Sequence, residues 1–354
     1  MVRKNTINVI IDLGNALEGS GIYSSATRLA EALGGYGYEV TINGKKPTAI
    51  VHLHTALPQS CYRVLRYRAM RERKNLHHPK VVIHGHTTVE DFVNSFLFSN
   101  QVRPVLSWYL PYYYKLADQL VAVSEHNKNL LVNYGIEPAK VAVISNGIRL
   151  GSAKVSQSVR RQARSLLGLS PDQKLVVGLG ISIYRKGIDR FVDVAQQMSD
   201  TKFVWIGKRM PTSFLAHAGH IKSKYKLAER LPNCQFPGYV SYKTLLGLFN
   251  AADAFFYPTR EENQGIAFLE AVLYGKPSVI SNHPVFAEFI DGEHVLKAAS
   301  VEEFVTQLQR VLSSSDLSQS LVGNARKHLE RHSLDRTVEE MAQLYDRVLD
   351  TRLG

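Results

Sequence analysis

The sequence predicts an α/β protein of two doubly wound parallel-sheet domains of similar size. Three observations carry this. Short Val- and Ile-rich runs alternate with helical stretches along the whole chain, which implies crossover units. The runs are continuous rather than alternating in polarity, as in strands buried on both faces. The alternation lapses near 147–173, and a new strand pattern begins at Lys174. With 354 residues, the chain is long enough for two cores.

In order, the strand candidates of the first half are INVIIDLG (7–14), YEVTIN (38–43), AIVHLH (49–54), KVVIHGH (80–86), QLVAVS (119–124) and KVAVISN (140–146). KLVVGLG (174–180), KFVWIG (202–207), DAFFYP (253–258) and KPSVIS (276–281) follow in the second half. YSSATRLAEALGG (23–35) and RFVDVAQQM (190–198) are helical by their apolar spacing. The stretch 147–173 shows no strand pattern, ends in a Ser-Pro-Asp turn signal and reads as a linker. The tail from 317 to 350 reads as helical.

Composition narrows the possible partners. Lys and Arg total 43 against 31 Asp and Glu, a net charge of +12, while 45% of residues are hydrophobic and 21% charged, as in a folded globular protein. Two cysteines, Cys61 and Cys234, exclude a disulfide framework and a four-thiolate zinc site. MVRKNTINVIIDLGN lacks the apolar core and cleavage site of a signal peptide, and no apolar run approaches the roughly 18–20 residues that span a bilayer. A cytoplasmic protein, soluble or surface-associated, is expected. The positive charge asks for nucleic acid, a phosphorylated ligand or a membrane surface. Zinc-finger, RNP-like and basic-zipper patterns are missing, which argues against nucleic acid.

The charge is densest at 61–80, CYRVLRYRAMRERKNLHHPK, with seven Lys or Arg to one Glu. Tyr62, Leu65, Ala69 and Met70 recur at helical spacing, with Arg63, Arg66, Arg68, Arg71, Arg73 and Lys74 on other faces. Such a helix either lies on anionic lipid or packs on a core with a solvated basic face.

In open α/β sheets, ligands bind beyond the carboxyl ends of the strands. Gly19, Ser20 and Gly21 follow the first strand and precede a helix whose N-terminus could face a phosphate, although such turns are common for steric reasons alone. His52 and His54 end one strand and His84 and His86 another, each pair on one face. A histidine hydrogen-bonded at a sheet end explains His52 and His84. His86, followed by the polar run Thr87, Thr88, Glu90 and Asp91, is the functional candidate. No carboxylate or cysteine completes a metal set, and DxD does not occur, so no metal is expected. In EENQGIAFLEAVLYGKPSVIS (261–281), Glu262 falls in the loop before a helix that starts near Gln264. The amides of Asn263, Gln264 and Gly265 would then face an anion. Glu270, about two turns on, could accept hydrogen bonds from vicinal hydroxyls. Arg185 and Lys186 stand at another strand end, where two cations suit a diphosphate or merely line a solvated loop.

At these residues the sequence resembles the retaining glycosyltransferases of the two-domain GT-B fold, family 4. The resemblance spans nearly the whole chain and is carried by E-x7-E as ENQGIAFLE, by the RKG element, and by FPGYVS (236–241), ADAFFYPT (252–259) and ISNGI (144–148). It implies that Glu262 contacts the transferred sugar, Glu270 holds the ribose and Arg185 with Lys186 neutralises the diphosphate. It further implies that Gly19–Gly21 approach the diphosphate from the other domain. The backbone near Tyr239 and Val240 would read the base, and His86, in IHGHTT, would lie near the reacting sugar. No cofactor or metal is implied beyond the nucleotide-sugar donor. The family's Arg six residues before the RKG lysine is replaced by Gly180. The implied division is 1–150 on the acceptor side, joined by a C-terminal helix of about 335–354, and 151–334 on the donor side, the two facing a cleft.

The segment 84–100, with 41–55, is similar to Gram-positive synthases that place α-glucose on diacylglycerol or glucosyl-diacylglycerol for lipoteichoic acid anchors. The aromatic stretch from Phe92 to Tyr114, including Phe96, Trp108 and Tyr109, suits a membrane interface, or else is helix core. The expected partners are therefore a nucleotide-sugar, a lipid acceptor and an anionic membrane surface at the inner face of the cell membrane. A soluble or polysaccharide acceptor is one alternative, and a basic nucleic-acid-binding protein is another, of a different class.

Overall fold

A computed structural model describes residues 5–14, 20–71, 79–152, 156–170 and 172–350. Its contacts divide the chain into two units. The first comprises residues 1–89, 102–149 and 331–354, and the second 90–101 and 150–330.

In the first unit, β1 (Thr6–Ile10), β2 (Glu39–Ile42), β3 (Ile50–Leu53), β4 (Lys80–His84), β5 (Gln119–Ala122) and β6 (Val141–Val143) form one parallel sheet in the order β2-β1-β3-β4-β5-β6. The second unit repeats the plan with β7 (Leu175–Leu179), β8 (Lys202–Ile206), β9 (Cys234–Gly238), β10 (Ala254–Tyr257), β11 (Ser278–Ser281) and β12 (Leu296–Ala298), ordered β12-β11-β10-β7-β8-β9. Its order reverses between β7 and β10, the crevice where doubly wound sheets hold ligands. In the first sheet the reversal lies between β1 and β3. The central strands β1, β3, β7, β8, β10 and β11 are buried almost throughout, as their unbroken apolar runs require.

Each sheet has its own core. Ile7, Val9, Leu29, Leu33, Ile50 and Val82 pack with Val338, Met341 and Tyr345 of the helix Leu334–Asp350, so the end of the chain completes the first unit. Phe191, Trp205, Phe203, Phe256 and Phe304 form the centre of the second.

Four features depart from the sequence reading. The strands β9 and β12 are absent from it. They are the two edges of the second sheet, one containing Pro237 and the other three residues long, so neither carries a buried apolar run. The supposed linker contains the helix Gln157–Leu166. Its Arg160 and Arg164 hold the Asp253 carboxylate at 2.6 and 3.2 Å, just before β10. Residues 90–101, assigned to the first domain, group with the second unit: Phe96 bridges Leu215, and the Leu97 amide donates to the Phe214 carbonyl at 2.9 Å. Finally, the helix Pro58–Arg71 buries Ser60, Cys61 and Val64, and leaves Tyr62 and Leu65 of the expected apolar stripe exposed.

One glycine fixes how closely β7 and β10 deliver their loops. Gly187 has φ +75°, and a Cβ there would stand 2.0 Å from the Pro258 carbonyl oxygen. Both the backbone sign and the contact exclude a side chain. Gly187→Ala should lower stability by at least about 2 kcal/mol, read as a fall in the denaturation midpoint.

Candidate active site

The loops leaving β7 and β10 meet at the reversal point of the second sheet. After β7 the chain makes one 3-10 turn, Tyr184–Lys186, and enters the helix Ile188–Gln197 through Gly187. After β10 it runs through Pro258 and Thr259 to Glu262, then into the helix Ile266–Leu273 through Gly265. Gly265 has φ +84°, and a Cβ would lie 2.7 Å from the Phe286 ring. The helix thus starts two residues later than the sequence suggests.

Glu262 is the centre of this corner. Its carboxylate accepts from the Lys186 ammonium, from the Tyr257 hydroxyl at 2.5 Å and from the Asn263 amide at 3.1 Å. Burial alone would raise its pKa, but Lys186 and Arg185 prevail and hold it at about 2. Lys186 is itself lowered by burial, against the pull of Glu262. Its Nζ also lies 3.3 Å from the Tyr257 hydroxyl. Arg185 is clamped from three directions: it pairs with Asp91, its Nε donates to Ser95 Oγ at 3.1 Å and its Nη1 to the Glu261 carbonyl at 3.1 Å. Burial raises the Asp91 carboxyl in spite of Arg185 and Lys186 beside it. The corner therefore sets two cations, Arg185 and Lys186, against two carboxylates, Asp91 and Glu262.

The structure brings Glu262, Arg185 and Lys186 together. Asn263, Gln264 and Gly265 are buried beside them, but the Asn263 amide is taken by Glu262, so it does not point at an external anion as expected. Glu270 is partly buried on the helix Ile266–Leu273. Tyr239, 71% exposed, and Val240 lie beyond the end of β9, between that edge strand and the helix Tyr242–Ala251. Sequence reasoning gave no role to Asp91, Ser95 or Tyr257. Tyr257 ends a predicted strand in the crevice position, which is a usable signal. Asp91 and Ser95 carry none, because only the fold of 90–101 brings them to Arg185.

In the first unit, Ser20 caps the helix Gly21–Gly35, its hydroxyl accepting from the Tyr23 amide at 3.2 Å, and Gly21 opens that helix. Gly19 lies outside the described residues. His52, His54, His84 and His86 are all buried and stack against one another, with His54 Nδ1 3.0 Å from His86 Nε2. Ring nitrogens of His52, His54 and His84 lie within 4.8 Å of one another, a spacing compatible with a shared ligand set. Burial pushes His52 and His86 down to about 3 and keeps His54 and His84 well below the ordinary value.

The surface residues sort differently from expectation. Arg63, Arg66 and Arg68 are exposed on the helix Pro58–Arg71, but Arg63 Nε pairs with the buried Asp12 at 3.2 Å and Arg68 donates to the Leu116 carbonyl at 3.0 Å. Arg71 ends the helix, and Arg73 and Lys74 lie outside the described residues. Trp108 is 68% exposed and stacks on Tyr112 at 5.7 Å. Two expected membrane contacts are corrected. Tyr109 turns inward, and burial near Cys61 and Asp12 raises its hydroxyl. Phe96 belongs to the second unit and is partly buried against Leu215. Tyr113 and Tyr114 are core, held by hydrogen bonds from their hydroxyls to the Thr55 and Thr87 carbonyls at 2.9 and 2.6 Å.

Comparison with known proteins shows the family. Residues 159–328 match the family described as glycosyl transferases group 1, and residues 42–151 match glycosyltransferase family 4. The processive diacylglycerol alpha-glucosyltransferase of Acholeplasma laidlawii is 30% identical over 334 residues, covering 94% of this chain and 95% of that protein. The alpha-galactosylglucosyldiacylglycerol synthase of Streptococcus pneumoniae is 26% identical over 321 residues, covering 89% of this chain and 83% of that one. Among solved structures, Anabaena HepE in complex with UDP and glucose superposes with a TM-score of 0.75 at 15% identity, over 96% of this chain and 99% of that one, which shows the shared fold. The chain belongs to glycosyltransferase family 4: it is a nucleotide-sugar-dependent glycosyltransferase of GT-B fold, related to the glucosyl-diacylglycerol synthases.

Proposed function

We propose that this enzyme moves glucose from UDP-glucose, with retention of configuration, to glucosyl-diacylglycerol or diacylglycerol at the inner face of the cell membrane, in the synthesis of glycolipid and lipoteichoic acid anchors. The observation that carries the donor half is the corner in which Arg185 and Lys186 meet Asp91 and Glu262. Its charges cancel pairwise in the unliganded enzyme. An arriving diphosphate offers the two cations a stronger anion, so Arg185 and Lys186 exchange carboxylate for phosphate oxygens. That exchange places positive charge where the leaving nucleoside diphosphate gains negative charge as the glycosidic bond breaks. Glu262, released from Lys186 but still held by Tyr257, then meets the sugar as an ionised acceptor of its hydroxyl hydrogen bonds. Glu270 holds the ribose, and the backbone at Tyr239 and Val240 reads the base. His86 serves the reacting sugar. Nothing in this arrangement requires a covalent glycosyl-carboxylate.

The acceptor half rests on the names of the relatives above and on the surface of the first unit. The helix Pro58–Arg71 exposes Tyr62, Leu65 and Arg66, and the helix Arg103–Lys115 exposes Val105, Trp108 and Tyr112. The two helices touch through Arg68 and the Leu116 carbonyl. Aromatic and aliphatic side chains beside arginine suit the headgroup boundary of an anionic bilayer. No described helix is long and apolar enough to cross a membrane, so attachment through this surface is peripheral.

Four measurements test the reading. In an assay of UDP-glucose with diacylglycerol and glucosyl-diacylglycerol in mixed vesicles, Glu262→Ala should reduce transfer by about 100-fold or more with folding intact. The Arg185→Ala, Lys186→Ala double variant should bind UDP at least tenfold more weakly, and unchanged affinity would remove the diphosphate role. The reaction is proposed to need no metal, so a chelator should leave the rate unchanged; loss restored by a divalent ion would refute this. In co-sedimentation with phosphatidylglycerol vesicles, Arg66→Glu combined with Trp108→Ala should weaken binding by about fivefold or more, and a wild type that stays in the supernatant sinks the membrane assignment.

A further inference from the structure

The first sheet carries a column of four imidazoles whose protons can be located from their partners. His52 and His54 share one face at the end of β3, and His84 and His86 share the same face at the end of β4. Adjacent rings lie 4.1–5.3 Å apart between centroids. All four side chains belong to residues no more than 7% exposed. Burial keeps each of them neutral at ordinary pH, so each ring has one N–H and one lone pair.

The two unpartnered nitrogens decide which is which. His54 Nε2 and His84 Nε2 are buried and meet no hydrogen-bond partner among the described residues. An orphaned buried N–H is rarer and costlier than an under-used acceptor. Both nitrogens are therefore lone pairs, and both rings carry the proton on Nδ1. His54 Nδ1–H then donates to His86 Nε2 at 3.0 Å, and His84 Nδ1–H donates to His52 Nε2 at 3.3 Å. Accepting at Nε2 leaves His52 and His86 protonated at Nδ1. His52 Nδ1–H donates onward to the Tyr345 hydroxyl oxygen at 2.8 Å, on the helix Leu334–Asp350.

We infer that His54 is a positioning residue that fixes His86 in its Nδ1–H tautomer, so that His86 serves transfer as an N–H hydrogen-bond donor and not as a base. The column thus holds two separate donor series set by geometry, His54 to His86, and His84 through His52 to Tyr345. The inference rests on the reading of His86 above for its catalytic meaning, but the tautomer itself does not.

The experiment is a long-range ¹⁵N–¹H correlation spectrum of the full chain labelled at histidine, recorded near neutral pH. The ring signals are assigned by His54→Leu and His86→Gln. His86 should show a pyrrole-like Nδ1 and a pyridine-like Nε2. His54→Leu should shift His86 toward the Nε2–H form and lower kcat about tenfold with an unchanged KM for the donor. His54→Asn, whose amide N–H can stand in for Nδ1–H, should recover most of both effects. The wild-type spectrum decides the tautomer even should His54→Leu fail to fold. A proton on His86 Nε2 in the wild type overturns the inference, as does an unchanged His86 in folded His54→Leu or a stoichiometric metal on His54 and His84. If the tautomers are as expected and His86→Gln transfers at the wild-type rate, the positioning role falls together with the reading of His86.

Discussion

Four charges share one buried corner of the second unit, and none is tolerable there alone. Taking a carboxylate or an ammonium out of water costs several kcal/mol unless a partner and hydrogen bonds replace the lost solvent. Lys186 and Glu262 do this for each other, with the Tyr257 hydroxyl as third member, and Arg185 is satisfied by Asp91, Ser95 and the Glu261 carbonyl. The surrounding structure serves to make this meeting possible. The sheet order reverses between β7 and β10, so two strand ends open side by side, and Gly187 lets their loops touch backbone to backbone. In the donor role proposed for it, such a neutral, preorganised corner would take a dianion by exchange of partners, at less cost than ordering two solvated cations.

The first unit handles its buried polar groups differently. Its four histidines stay uncharged and bond in two pairs, His54 with His86 and His84 with His52, the last reaching Tyr345. Asp12 is held by Ser60 at 2.5 Å and by Arg63 at 3.2 Å, at the reversal point between β1 and β3. Arg63 thus belongs to the structure of the unit as well as to its surface charge, whereas Arg66 and Trp108 have no such internal duty among the contacts described. This separates residues whose replacement would disturb folding from those that report on the surface alone.

Much of this was legible in the residues. The central strands with unbroken Val, Ile and Phe runs stood out because burial on both faces demands apolar side chains at every position. Glu262, Arg185 and Lys186 were legible as a group because their positions at strand ends follow from the alternation itself. The edge strands β9 and β12 were not, since an edge with Pro237, or with three residues, leaves no pattern to find. The aromatic stretch misled for a related reason: Trp108, Tyr109, Tyr113 and Tyr114 are equally apolar in composition, yet only Trp108 faces out.

By itself the sequence determined the fold class and the family and singled out Arg185, Lys186 and Glu262, because local apolar pattern and motif spacing encode them. Tertiary structure alone decided that residues 90–101 join the second unit and set Asp91 and Ser95 on Arg185. It alone decided that Tyr109 turns inward, and that four histidines from two strands pair as His54 with His86 and His84 with His52, the last reaching Tyr345. The physical reason is the same in each case. Which charge meets which, and which nitrogen keeps its proton, depends on contacts between residues far apart in the chain, and those contacts exist only once the sheets have formed.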